Sequence, residues 1–166
     1  LSRTLLELLA ESLEEGSDSF EALAALRELV RLASPKPPIE LTERMVAAFS
    51  KEHSASPSLA AVLQHCPMTS AKRPLDQLEA AECWLDHDVG TVVEVAGQGV
   101  GRVVELNLRL ENIKVDLGGS RPASIPFGAA RRHLRPLAEG DFRRRKVEIP
   151  EELADFVENE PGAALA

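Results

Sequence analysis

Four side chains of the 166-residue sequence are of the types that bind soft metal ions: His65, Cys66, Cys83 and His87. Cys83 and His87 are four apart, which puts both on one face of a helix. Zinc takes thiolate and imidazole ligands in tetrahedral sets. The spacing is not Cys-x-x-Cys, however, and each pair falls on or at the end of an expected helix. Buried free cysteines with solvent-side histidines are the plainer reading. Ser, His and Asp also occur, but in no nucleophile-elbow context. Gly97-Gln98-Gly99-Val100-Gly101 resembles part of a phosphate-binding loop, yet it leads into a strand and lacks the Lys-Ser/Thr pair. A tight turn with close backbone approach explains it better. No catalytic residue, metal ligand or cofactor is therefore assigned, and the chain is read as a non-enzyme.

The basic residues carry more. Arg131, Arg132 and Arg135 form one cluster, and Arg143, Arg144, Arg145 and Lys146 form a second eight residues later. Converged, they would make a surface for phosphates or for an acidic protein. The competing explanation is a solvated face that balances acidic helices. Without interleaved aromatics, stacking on single strands has no support. Trp84 suits packing between helix and sheet better than base stacking.

Charge is unevenly spread. Val89 to Lys146 holds eleven Arg/Lys against six Asp/Glu, while the remainder holds eight against twenty-one, for a net charge of −8. The acidic majority argues against a whole-chain nucleic-acid binder, and the asymmetry implies separate surfaces with separate partners. No run approaches the ~20 apolar residues of a membrane span. Two cysteines suggest no disulfide scaffold, so a cytoplasmic setting is expected. A start at Leu1 and an end in Glu-Pro-Gly-Ala-Ala-Leu-Ala read as a fragment of a longer chain.

The element that must position the basic clusters lies between Val89 and Leu137. Val92, Val93 and Val95 form a first run and Arg102 to Leu106 a second. Ile113 to Leu117 is a third, Arg121 to Pro126 a fourth and His133 to Leu137 a fifth, with a helical turn over Phe127 to Arg132. Gly118-Gly119 reads as a two-residue hairpin turn. Five short strands predict a small, curved antiparallel barrel of the SH3, Tudor or KOW type. Before it, apolar periodicity predicts five helices forming αα-hairpins, the first over Leu1 to Glu15 and the second running from Ser17 or Asp18 to about Ala33. Phe20 and Leu32 join the second helix's apolar face. The third starts near Ile39 with Thr42 as a cap, the fourth at Ser56-Pro57, and the fifth spans Leu75 to about His87. Ala138 to Lys146 reads as a polar link, and Pro150 opens a last helix. The fold class is thus α+β: a helical scaffold over 1–88, a β-barrel over 89–137, and a basic linker with a C-terminal helix over 138–166.

An ordered series of segments resembles a known family: Val100-Gly101-Arg102-Val103-Val104-Glu105, Ile113-Lys114-Val115-Asp116-Leu117, Ile125-Pro126-Phe127-Gly128-Ala129-Ala130 and Leu134-Arg135-Pro136-Leu137. It is similar to the barrel in long N-terminal extensions of some GreA-type transcription elongation factors, itself similar to the polymerase-interacting module of CarD-type regulators. FRRRKVEIPEEL, Phe142 to Leu153, looks like the basic link and helix that follow that barrel. The resemblance implies a transcription module that docks on RNA polymerase. The long coiled coil with two acidic residues at its tip is missing, so transcript cleavage is not implied. A strand edge, Val92, Val93 and Val95 or the run containing Lys114, is expected to pair with a partner strand. Arg131, Arg132 and Arg135 would steer the encounter. Direct binding of RNA or DNA by the barrel and the Arg143–Lys146 tail is the alternative.

Overall fold

The computed structural model describes residues 19–148. The helices expected over Leu1 to Glu15 and from Pro150 lie outside the described residues. The chain divides into two compact units, Leu1–Leu85 and Asp86–Ala166.

In the first unit four helices are described: α1 (Ser19–Leu32), α2 (Ile39–Glu52), α3 (Leu59–His65) and α4 (Pro74–Asp86). α1 packs against α2. Its buried stripe is Ala22, Leu23, Leu26, Leu29 and Val30, a spacing that keeps one side of a 3.6-residue helix out of water. α2 answers with Leu41, Met45 and Phe49. Each such fully buried side chain contributes roughly 1.5–3 kcal/mol. Phe20 and Leu32, expected on the apolar face of α1, are instead exposed, because they fall at the two ends of the helix and outside the stripe. Thr42 is no cap. Pro38 takes the N-cap position, and the Thr42 hydroxyl inside the first turn donates to the Pro38 carbonyl at 3.3 Å. Arg27 on α1 pairs with Glu82 on α4.

The second unit is built on a five-stranded antiparallel sheet. Its strands are β1 (Val92–Val95), β2 (Gly99–Asn107), β3 (Asn112–Asp116), β4 (Ala123–Pro126) and β5 (Leu134–Pro136), in the order β4-β3-β2-β1-β5. The sheet is open between β4 and β5. A short helix, α5 (Phe127–His133), joins those two strands, and α6 (Phe142–Glu148) lies against β1 and β2. Together with α1–α4 this makes the chain α+β.

Val93, Val95, Val103, Ile113, Val115, Ile125 and Leu134 share one face of the sheet and are buried. A register irregularity between Val103 and Glu105 adds one residue to β2 and leaves Val104 exposed. Gly101 explains the glycine-rich stretch. A Cβ there would sit 2.2 Å from the Asp116 carbonyl oxygen, so only glycine lets β2 and β3 approach so closely. Gly97 and Gly99 take positive φ in the turn between β1 and β2, as a tight turn demands.

Two local expectations change. Gly118-Gly119 is not a two-residue hairpin: the β3–β4 ladder starts at Val115↔Ala123, leaving a longer loop. Only Gly118 of the pair has positive φ, and its N–H donates to Asp116 Oδ1 at 2.9 Å. The stretch Ala138–Lys146 is no simple linker either, since α6 occupies most of it. Asp141 caps α6, its Oδ1 accepting the Arg143 N–H at 2.9 Å.

Candidate functional site

The expected strand edge is not an edge. β1 lies between β2 and β5, and β3 lies between β2 and β4. Val92, Val93 and Val95 are all buried at 1% exposure or less, so none can meet a partner. Val93 and Val95 enter the sheet's core, and Val92 faces the opposite side, together with Glu94. Lys114 sits in interior β3, where its Nζ pairs with Glu105 Oε2 at 2.7 Å. That pair holds the Glu105 carboxyl below the usual carboxylate range. For β1 the reason for the misplacement is β5, whose pairing joins segments some forty residues apart and leaves no trace in local periodicity; β3 is interior because β4 pairs along its other side.

The true edges, β4 and β5, are poor in donors. Ala96 N–H donates to the His133 carbonyl and Leu137 N–H to that of Val92, so by alternation Arg135 directs its backbone inward to β1. Leu134 and Pro136 face outward. Pro136 has no N–H, and that of Leu134 donates to the Ala130 carbonyl. On β4, Phe127 N–H donates to Glu111 O, which turns Ile125 and Ala123 toward β3. Ser124 alone presents an outward N–H, flanked by Pro122 and Pro126. Strand addition to this sheet therefore lacks its hydrogen-bond ladder.

The basic clusters do meet. Arg131 and Arg132 stand exposed on α5, which buried Ala130 anchors. Arg135, on β5, is directly opposite Glu94 of β1. Arg143, on α6, reaches the same Glu94, Nη1 to Oε2, at 2.8 Å. It also grips Asp141 through Nη2–Oδ2 at 2.9 Å and Nε–Oδ1 at 3.1 Å. Arg143 holds the Asp141 carboxyl below its ordinary range, with Arg135 adding to the effect. The same contacts raise the Arg143 guanidinium. Arg144 pairs with Glu148 at 2.7 Å and donates to the Leu137 carbonyl at 3.4 Å. Arg145 is exposed; the side chain of Lys146 lies outside the described residues. So the seven-residue patch divides. Arg143 and Arg144 are structural ties to acids and carbonyls, whereas Arg131, Arg132, Arg135 and Arg145 face solvent.

Glu94 and Asp141, the acids that organise this surface, escape a reading focused on cations. Asp141, two residues before Arg143, was the available signal, because Asp at that position caps a helix.

Among the described residues, no group of three or more His, Cys, Asp and Glu side chains could hold a metal ion. Cys66 and Cys83 are both buried and outside any disulfide, and burial pushes the Cys66 thiol up, which disfavours the thiolate. Trp84 is 1% exposed, too buried to stack on a base, and takes an edge-on contact from the His65 ring at 6.0 Å. No helix among the described residues is long and apolar enough to cross a membrane. Comparison with protein-family models, curated proteins and solved structures finds no match to this chain.

Proposed function

We propose that this chain is a non-catalytic interaction module of the transcription machinery, resident in the cytoplasm, whose sheet unit docks on a protein partner, with RNA polymerase the first candidate. The transcription assignment rests on the sequence resemblance to GreA-associated extensions. The observation that supports a docking module is the strand order β4-β3-β2-β1-β5 with a short helix between β4 and β5, the order of SH3-like domains. In this reading the sheet curls into a small SH3/Tudor/KOW-like barrel, and the N-terminal helices stack as an αα-hairpin scaffold. Contact is made by side chains rather than by strand addition, because Pro122, Pro126 and Pro136 remove donors from both edges. Arg131, Arg132 and Arg135 supply the charged part of the contact and speed encounter with an acidic surface.

A pull-down of purified RNA polymerase on this chain, at low and moderate salt, tests the proposal. Retention of polymerase that is lost on reversing both residues, Arg131→Glu with Arg132→Glu, supports it. Retention unchanged by that reversal removes the basic surface from the reading.

The second reading is direct binding of RNA or DNA. It is favoured by one observation: Arg132 and Arg145 are exposed and take no ion-pair partner among the described residues. It requires a steep loss of affinity with salt, since counterion release drives such binding.

A further inference from the structure

The helical unit holds a groove that the sheet-centred reading does not use. Two lobes, of about 540 and 330 Å³, share Pro35, Pro37, Lys72 and Pro74 in their walls. One wall is the loop between α1 and α2 with the first turn of α2. The other is the segment from Thr69 to Pro74 with the first turn of α4. The larger lobe is in the range of sites that hold ligands, roughly 300–1,000 Å³. Prolines give it rigid apolar walls, and Ile39 stands 55% exposed at its side.

Charge sets the groove apart from its surroundings. Residues 1–85 carry thirteen Asp/Glu against eight Lys/Arg. Yet three of those eight, Lys36, Lys72 and Arg73, line this groove. Arg73 is matched locally by Asp76 at 3.0 Å. Lys36 and Lys72 are exposed and take no ion-pair partner among the described residues. Two ammonium groups with no ion-pair partner among the described residues thus line one groove in an otherwise acidic unit, which selects for an anionic occupant. Two adjoining lobes whose walls alternate prolines with lysines suit an extended chain whose apolar side chains alternate with its charges.

We infer that this groove binds an extended acidic peptide segment of a partner protein, with apolar side chains against Pro35, Pro37 and Ile39 and carboxylates on Lys36 and Lys72.

The test is a titration of the full 15N-labelled chain with the acetylated heptapeptide Asp-Glu-Leu-Pro-Glu-Leu-Asp, followed by amide chemical shifts. The expected shifts concentrate in residues 34–42 and 69–76. Lys36→Glu combined with Lys72→Glu should weaken binding by about tenfold or more. If that variant's spectrum shows it unfolded, the single changes Lys36→Ala and Lys72→Ala, both at exposed positions, should each weaken it measurably. No binding, shifts confined to other residues, or affinity insensitive to these lysines would overturn the inference. So would inorganic phosphate that displaces the peptide and reproduces its shifts, since the groove would then be a simple anion pocket. A peptide with Lys in place of every acid should leave the spectrum unchanged; equal binding by it would also count against the proposal.

Discussion

Arg143 of α6 and Glu94 of β1 are joined across 2.8 Å, and the same guanidinium holds Asp141, the cap of its own helix. One side chain therefore fastens α6 to the sheet and steadies the turn that starts it. Arg135, opposite Glu94 in the β1–β5 ladder, completes a group in which two arginines face two carboxylates.

Arg143→Ala should loosen α6 without unfolding the sheet. The pair is substantially exposed, and exposed pairs contribute little to global stability, so the melting temperature should fall by less than about 5 °C. Amide exchange in residues 142–148 should rise well before exchange in β1 or β2. Equal acceleration in the sheet strands would show that Arg143 supports the whole unit.

Acid should weaken the second unit through two carboxylates. Asp141 and Glu105 have depressed values in the folded state, held there by Arg143 and Lys114. Depressed groups add stability that is fully present above their unfolded values, near pH 4, and is lost as pH falls through the folded values. Melting temperature should thus decline below about pH 5. The combined changes Asp141→Asn and Glu105→Gln should flatten that decline, and Asn should keep the α6 cap. An unchanged pH profile would show that other carboxylates govern it.

Gly101→Ala should be among the most damaging single changes in the sheet. The added methyl meets a backbone oxygen, which cannot swing aside as a side chain would. A loss of more than ~2 kcal/mol in chemical unfolding is expected. Gly119→Ala, where the nearest atom to a Cβ is 3.9 Å away, is the matched control and should be nearly neutral.

Val115→Asp should abolish the folded sheet, because position 115 has no exposure and a buried unpaired carboxylate costs several kcal/mol. Val104→Asp, two-fifths exposed beside the strand irregularity, should fold normally. A shared outcome for the two would contradict the inward register of β3.

Much of this architecture is legible in the sequence where the determinants are local. The Val92–Val95 strand, the turn after it, the short helix from Phe127 and a final strand at Leu134 all follow from β-branched runs, glycines and prolines. The helices begin near prolines at positions 38 and 74, as expected. What could not be read is pairing at a distance. β5 returns to β1 across the whole sheet, which turns an expected edge into an interior strand with Val92, Val93 and Val95 buried. The basic surface was visible as composition, but its division was not: Arg143 and Arg145 look alike until Glu94 is placed beside one of them. The groove at Lys36 and Lys72 is likewise formed by two loops far apart in sequence.

The β1–β5 ladder also orders events during synthesis. Val93 pairs with Gly101, eight residues on, and with Pro136, forty-three residues on. As the chain leaves the ribosome, the β1–β2 and β2–β3 hairpins have their partners at once. The far flank of β1 stays bare until residue 137 emerges, and closing that long loop is the slow, entropically costly step. Throughout that interval the most apolar strand of the protein is the growing chain's exposed margin, so a synthesis halt before Leu134 leaves a nascent chain with its stickiest segment unguarded.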